Sequence, residues 1–188
     1  MALRRLTDAA TEPITTAEAK THLRVTAATD DTYIDTLVKA VRQVTENELR
    51  RSLITQSWVR TLDEFPEAIE LHYPPVIAVT SVKYYDTAGT QQTLAATEYP
   101  LDYQSEPGWM VPALDVVWPD TLDAVNAVEV IYTAGYGTAA DVPQAIKAWI
   151  LLHVGHLYEN REATMPGISI TPLPFTGSLL DPYRVVTF

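Results

Sequence analysis

Apolar positions along this chain change period twice, and each change marks a change of element. Between residues 30 and 51, Ile34, Leu37, Val38, Val41, Val44 and Leu49 fall on one stripe at helical spacing. Asp30-Asp31 opens that stretch and Arg50-Arg51 closes it, the charge order that a helix macrodipole favours. Upstream, Thr15-Thr16-Ala17-Glu18 has the spacing of a capping box and predicts a short helix to about Leu23. From about Ile54 the period becomes two. Ser57 to Leu62, Ile69 to Tyr73 and Val79 to Tyr85 alternate as strands. Asp86-Thr87-Ala88-Gly89 is a hairpin turn into a strand through Gln91 to Leu94. Tyr99 to Tyr103 and Trp109 to Val111 flank a turn at Glu106-Pro107-Gly108, and Ala127 to Tyr132 is the last strong strand. Helical spacing then returns at Ile146, Trp149, Ile150, His153, Val154 and Leu157. Asp141 is expected to cap this helix, with Pro143 in its first turn and the polar run Glu159 to Glu162 at its end.

These periods predict an α+β fold. Residues 1–53 form an N-terminal helical part, and 54–137 an antiparallel β insertion of sandwich or barrel type. Residues 138–164 supply a C-terminal helix that completes the helical body, and 165–188 an extended docking tail. No βαβ alternation is present, which argues against a doubly wound sheet. In the tail, Pro166, Pro172, Pro174 and Pro182 rule out a regular helix. The residues between them are too apolar for a solvated linker. The tail is therefore expected to dock on its own domain or on a neighbour, through Pro172, Leu173, Pro174, Phe175, Leu179, Leu180, Tyr183, Arg184 and Phe188. If a neighbour takes the tail, truncation at about Met165 should leave a folded domain that no longer joins its partners.

Composition narrows the function. The 188 residues are 47% hydrophobic, enough for one well-cored domain with an insertion. A net charge of −11 argues against binding nucleic acid by phosphate neutralisation, which needs clustered Lys and Arg. The absence of cysteine excludes disulfides, thiolate metal sites and thiol nucleophiles. The opening residues carry Arg4 and Arg5 but no apolar run, so they do not read as a secretory signal. The longest apolar run, Ala148 to Leu152, is far short of the roughly 20 residues that span a bilayer. A soluble protein made in the cytoplasm, with no membrane contact, is expected.

Candidate chemistry is sparse. His153-x-x-His156-x-x-Glu159 could bring ligands to one helix face, but His153 lies within the apolar stripe and no HExxH pattern is present. A core or solvated histidine is the commoner case. Gly135-Tyr136-Gly137 lacks the third glycine and the lysine of a phosphate loop, so it reads as a strand-to-helix turn. No GxSxG elbow accompanies the four histidines. Acids such as Asp63, Glu64, Asp102, Glu106, Asp115 and Asp120 are numerous enough that a pair could arise by chance. Trp58, Trp109, Trp118, Tyr84, Tyr85, Tyr99 and Tyr103 could form a sugar platform, though aromatics in short strands more often fill a core. The residues indicate no enzyme, no cofactor and no metal.

Four stretches, taken in order, resemble the gp6-like head–tail connector (adaptor) proteins of bacteriophages, in the longer variety with a β insertion that also occurs in gene transfer agents. They are Glu12 to Val25 with its TTAEAKTHLR core, Arg51-Ser52-Leu53-Ile54-Thr55-Gln56-Ser57-Trp58, Tyr132 to Gly137 running into Val142 to Lys147, and His156 to Glu162 with the ending Leu180 to Arg184. They span most of the chain. The resemblance implies a structural protein of the virion. It would be a ring, typically of twelve copies, below the portal protein, extending the DNA channel and presenting a face to a neck, stopper or tail protein. DNA would pass without specific binding. Asp35, Glu46 and Glu48 on the long helix are the candidate acids facing the lumen. A stopper or tail terminator is the alternative within the same machine. A carbohydrate-binding β module, dependent on Trp109 or Trp118, is the alternative from another class.

Overall fold

The computed structural model describes residues 2–160 and 177–186, which fall into two compact units. One unit, 11–54 with 137–184, is helical; the other, 1–10 with 55–136 and 185–188, is a β unit.

The helical unit is built from α1 (Thr16–Leu23), α2 (Asp31–Leu49) and α3 (Gln144–Glu159). The capping box forms as the sequence predicts: Glu18 N donates to Thr15 Oγ1 at 3.2 Å, and Thr15 N donates to Glu18 Oε2 at 2.7 Å. Both α1 and α2 stop at an arginine in the left-handed conformation, Arg24 at φ 58° and Arg50 at φ 53°. Along α2, Ile34, Val38, Val41 and Leu49 are buried, whereas Val44 is 57% exposed despite its place in the stripe. α3 packs against both other helices. Its Gly155 faces His22 and Leu23 of α1. Tyr158 at the far end of α3 donates its hydroxyl to Asp30, the N-cap of α2, at 2.5 Å.

Asp141 does not cap α3. Its carboxylate accepts from Thr138 N at 2.8 Å and from Thr138 Oγ1 at 2.7 Å, closing a 3-10 turn over Ala139–Asp141. Those bonds hold its pKa below the ordinary aspartate value. Pro143 is the N-cap residue instead. A side chain already held one turn upstream has no reach to the first N–H groups of α3.

The β unit has two sheets, antiparallel throughout. The larger has the order β1-β2-β8-β4-β5, from β1 (Ala2–Thr7), β2 (Gln56–Leu62), β8 (Val128–Ala134), β4 (Val76–Tyr85) and β5 (Gln91–Thr93). The smaller has the order β3-β7-β6, from β3 (Ile69–Leu71), β7 (Gly108–Met110) and β6 (Leu101–Asp102). Trp58, Leu62, Val82, Val128, Val130 and Tyr132 of the first sheet share one core with Ile69, Leu71 and Met110 of the second. Tyr132 crosses that core and donates its hydroxyl to the His72 carbonyl at 2.8 Å; burial pushes its pKa up. Gly108 lies where the strands pass closely, since a Cβ would meet Val76 Cγ2 at 2.8 Å.

β1 is an element that apolar periodicity does not announce. Its residues 2–7, grouped with the helices on sequence, pair with β2, and Leu3 packs against the β core. The inward position that pattern reading expects to be apolar is Arg5. Its guanidinium lies 5.1 Å from the centroid of the Trp58 ring and binds Asp8 at 2.8 Å.

Candidate interaction surfaces

Residues 177–184 pack within the helical unit. Gly177–Leu179 and Asp181–Tyr183 form consecutive 3-10 turns, the second with Pro182 inside its first turn. Leu180, between them, is fully buried, and the first turn packs on α3. Arg51, itself 4% exposed, donates from Nε to the Tyr183 carbonyl at 3.0 Å. Arg184 binds Glu48 of α2 and lies 3.4 Å from Asp181. An apolar anchor, a backbone bond and an ion pair thus help to hold this ending.

This placement divides the expected contact residues. Leu180 is a core residue of its own unit and presents nothing to a partner, because its burial is completed by its own chain. Tyr183 and Arg184 are engaged there as well. Leu179 is half-buried. Pro172, Leu173, Pro174, Phe175 and Phe188 lie outside the described residues.

The three acids of α2 also separate. Asp35 is exposed and accepts a hydrogen bond from Thr16 Oγ1. Glu48 is exposed and carries the Arg184 ion pair. Glu46 is fully buried, and the lumen assignment fails for it. Its Oε2 accepts from Arg42 Nη1 at 2.8 Å and its Oε1 from the Leu53 amide at 3.0 Å. Arg42 is also fully buried, and its Nε binds Glu12 at 2.6 Å. A carboxylate with a buried guanidinium partner and a backbone donor is a structural joint, tying the turn at Leu53 to the helix. Sequence reading missed Arg42 and took Arg51 only as a closing cation, not as a buried one. Their signal was a cation within or just beyond an apolar stripe, four residues from an acid in the case of Arg42 and Glu46.

The histidines and tryptophans weighed for chemistry are held in separate contacts. His153 stacks on Trp149 with ring centroids 3.6 Å apart. Its Nδ1 is 2.9 Å from the Trp149 carbonyl oxygen, which only accepts, so Nδ1 carries the proton. His156 engages the Asn160 side chain instead. Trp58 stacks on Tyr73 within the β core at 4.2 Å, while Trp118 stacks on Phe65 at 5.0 Å. Trp109 is 36% exposed on the small sheet, paired in register with Glu70 and Asp102. Asp102 serves its own turn, accepting from Ser105 Oγ at 2.5 Å and from Gln104 N at 2.8 Å. No helix of the described residues is long and apolar enough to cross a membrane.

A family model described as phage gp6-like head–tail connector protein matches residues 13–106. The fold is similar to a chain in the neck of an empty gene transfer agent (GTA) particle computed with C6 symmetry, at TM-score 0.82 and 22% identity. It is similar to a chain in the virion of a native GTA particle at TM-score 0.81 and 23% identity, and to one in the neck of a native GTA particle computed with C12 symmetry at 0.73 and 23%. Each of these likenesses covers 100% of this chain and 97% of the other. No curated protein sequence matches significantly.

Proposed function

The chain belongs to the phage gp6-like head–tail connector family, and from that premise we propose that it works as a ring-forming adaptor, without catalysis, at the junction of a phage or GTA head with its neck. The carrying observation is that the family match and the full-length likeness of fold fall on the same chain, helical unit and β unit together. The ring we propose has twelve copies, sits below the portal protein and passes DNA along its axis towards a stopper or tail protein.

Charge supports this reading. A lumen that held phosphates tightly would impede DNA, and a chain of net charge −11 has little means to do so. Asp35 and Glu48 remain the proposed lumen acids. A closed ring needs two different patches per subunit. We assign one of them to the stretch Pro172 to Phe175, ahead of the anchor at Leu180, reaching a neighbouring subunit or the portal. The protein would be made in the host cytoplasm and end in the virion.

Electron microscopy of particles made with and without this chain tests the role. Heads that leak or lack tails, rescued when the protein is restored, are the expected result. Normal tailed particles in its absence would exclude an adaptor.

A further inference from the structure

Between β7 and β8 the chain runs through residues 111–126 without regular secondary structure, longer than most connections in compact domains. It is tied down along its length. Ala113 N donates to Glu98 O at 2.9 Å, Leu122 N to Tyr85 O at 2.9 Å, and Asn126 N to Asp63 Oδ1 at 2.8 Å. Trp118 stacks on Phe65, and its indole N–H donates to the Glu67 carbonyl at 3.4 Å. This well-held loop nonetheless exposes Leu114 at 91%, Val117 at 86% and Val125 at 81%. Val117 also lines, with Phe65, Val116 and Trp118, an open groove of about 750 Å³ that has Glu64, Glu67 and Asp120 at its wall.

Charge limits what could cover these side chains. Segments 63–67 and 111–126 carry six acids (Asp63, Glu64, Glu67, Asp115, Asp120 and Asp123) and no Lys, Arg or His. A phosphate backbone or an anionic membrane would be repelled. A second copy would offer six acids if it presented the same face, and a chain of net charge −11 if it presented any other. An apolar surface within an acidic field instead complements a cationic protein segment, whose charges set register while its apolar side chains fill the groove.

We infer that the 111–126 loop and the Phe65–Trp118 groove dock a segment of a different protein, one that carries Lys or Arg beside apolar side chains. This rests on the connector reading for where that protein is met, in the particle, and deepens it by assigning the surface and the chemistry of its partner. The loop lies beyond the residues 13–106 that the family model matches.

Photo-cross-linking in assembled particles tests this. Benzoylphenylalanine replaces Leu114 or Val117 in the full chain, with exposed Thr36 of α2 as the control position. The expected result is an adduct from the loop positions, but not from Thr36, to another particle protein through a peptide containing Lys or Arg. Changing Asp115, Asp120 and Asp123 together to Asn should lower the adduct yield several-fold at physiological salt. An adduct to a second copy or to a peptide without basic residues, no adduct in particles that contain the protein, or a yield indifferent to the Asn changes would each overturn the inference. Particles without the protein, read by immunoblot, would overturn the connector reading itself.

Discussion

At the scale of single residues, the molecule depends on a few polar groups removed from water. Arg42 and Glu46 are both fully buried, one turn apart on α2, and Glu12 also binds the guanidinium. Removing one member of such a group leaves an uncompensated charge, which costs about 3–5 kcal/mol. Arg42→Met should therefore lower the unfolding free energy by about that much in denaturant titration. Adding Glu46→Gln to Arg42→Met should recover part of it, because the amide oxygen still accepts from Leu53 N. Gly108→Ala should also destabilise, since the new methyl meets Val76 inside a packed core, and calorimetry would register a lower Tm. Glu18 is a pH-dependent case. Hydrogen bonds from Thr15 hold its pKa below the ordinary glutamate value. A depressed folded pKa means the capping box contributes above the unfolded pKa and is lost as pH falls through the folded one. NMR titration of the Glu18 carboxyl should show the low midpoint, and Thr15→Val should move it up.

Elements show where neighbours override pattern. The stripe on α2 is real, yet Val44 faces outwards, because a stripe spaced at three and four residues is wider than the contact it meets. β1 escapes a count of apolar residues because Arg5 fills an inward site with its stem and guanidinium over Trp58. The ending of the chain corrects a broader expectation. Truncation at about Met165 was expected to leave the domain intact, but it also removes Leu180 and the Arg184–Glu48 pair from the helical unit. Leu180→Ala alone should cost about 2–5 kcal/mol. A chain ending at residue 176 should melt at a lower temperature than the full chain by circular dichroism. An unchanged melting curve would mean the anchor contributes no stability. Particle assays of truncations consequently need a folding control.

For the whole molecule, the functional conclusion comes from the resemblance of ordered motifs and the family match, with no reactive constellation involved. An acidic connector should not retain DNA: a gel-shift titration of the purified protein at 0.15 M salt is expected to show no complex. A salt-sensitive complex at low concentration would contradict the lumen we propose. The capping box of α1, the strand spacing and the hairpin at Asp86 to Gly89 were determined by sequence, because each depends on near neighbours along the chain; the cap of α3 was not. Which charged residues are buried, which strand joins the N-terminus to the sheet, and where Leu180 anchors were decided only by tertiary structure. Those contacts join residues as far apart as Glu48 and Arg184, and the burial of Arg42 depends on partners that no local pattern specifies. The apolar side chains of the 111–126 loop lie between these cases: their composition is plain in the sequence, but their exposure appears only once the stack of Trp118 on Phe65 has fixed the loop.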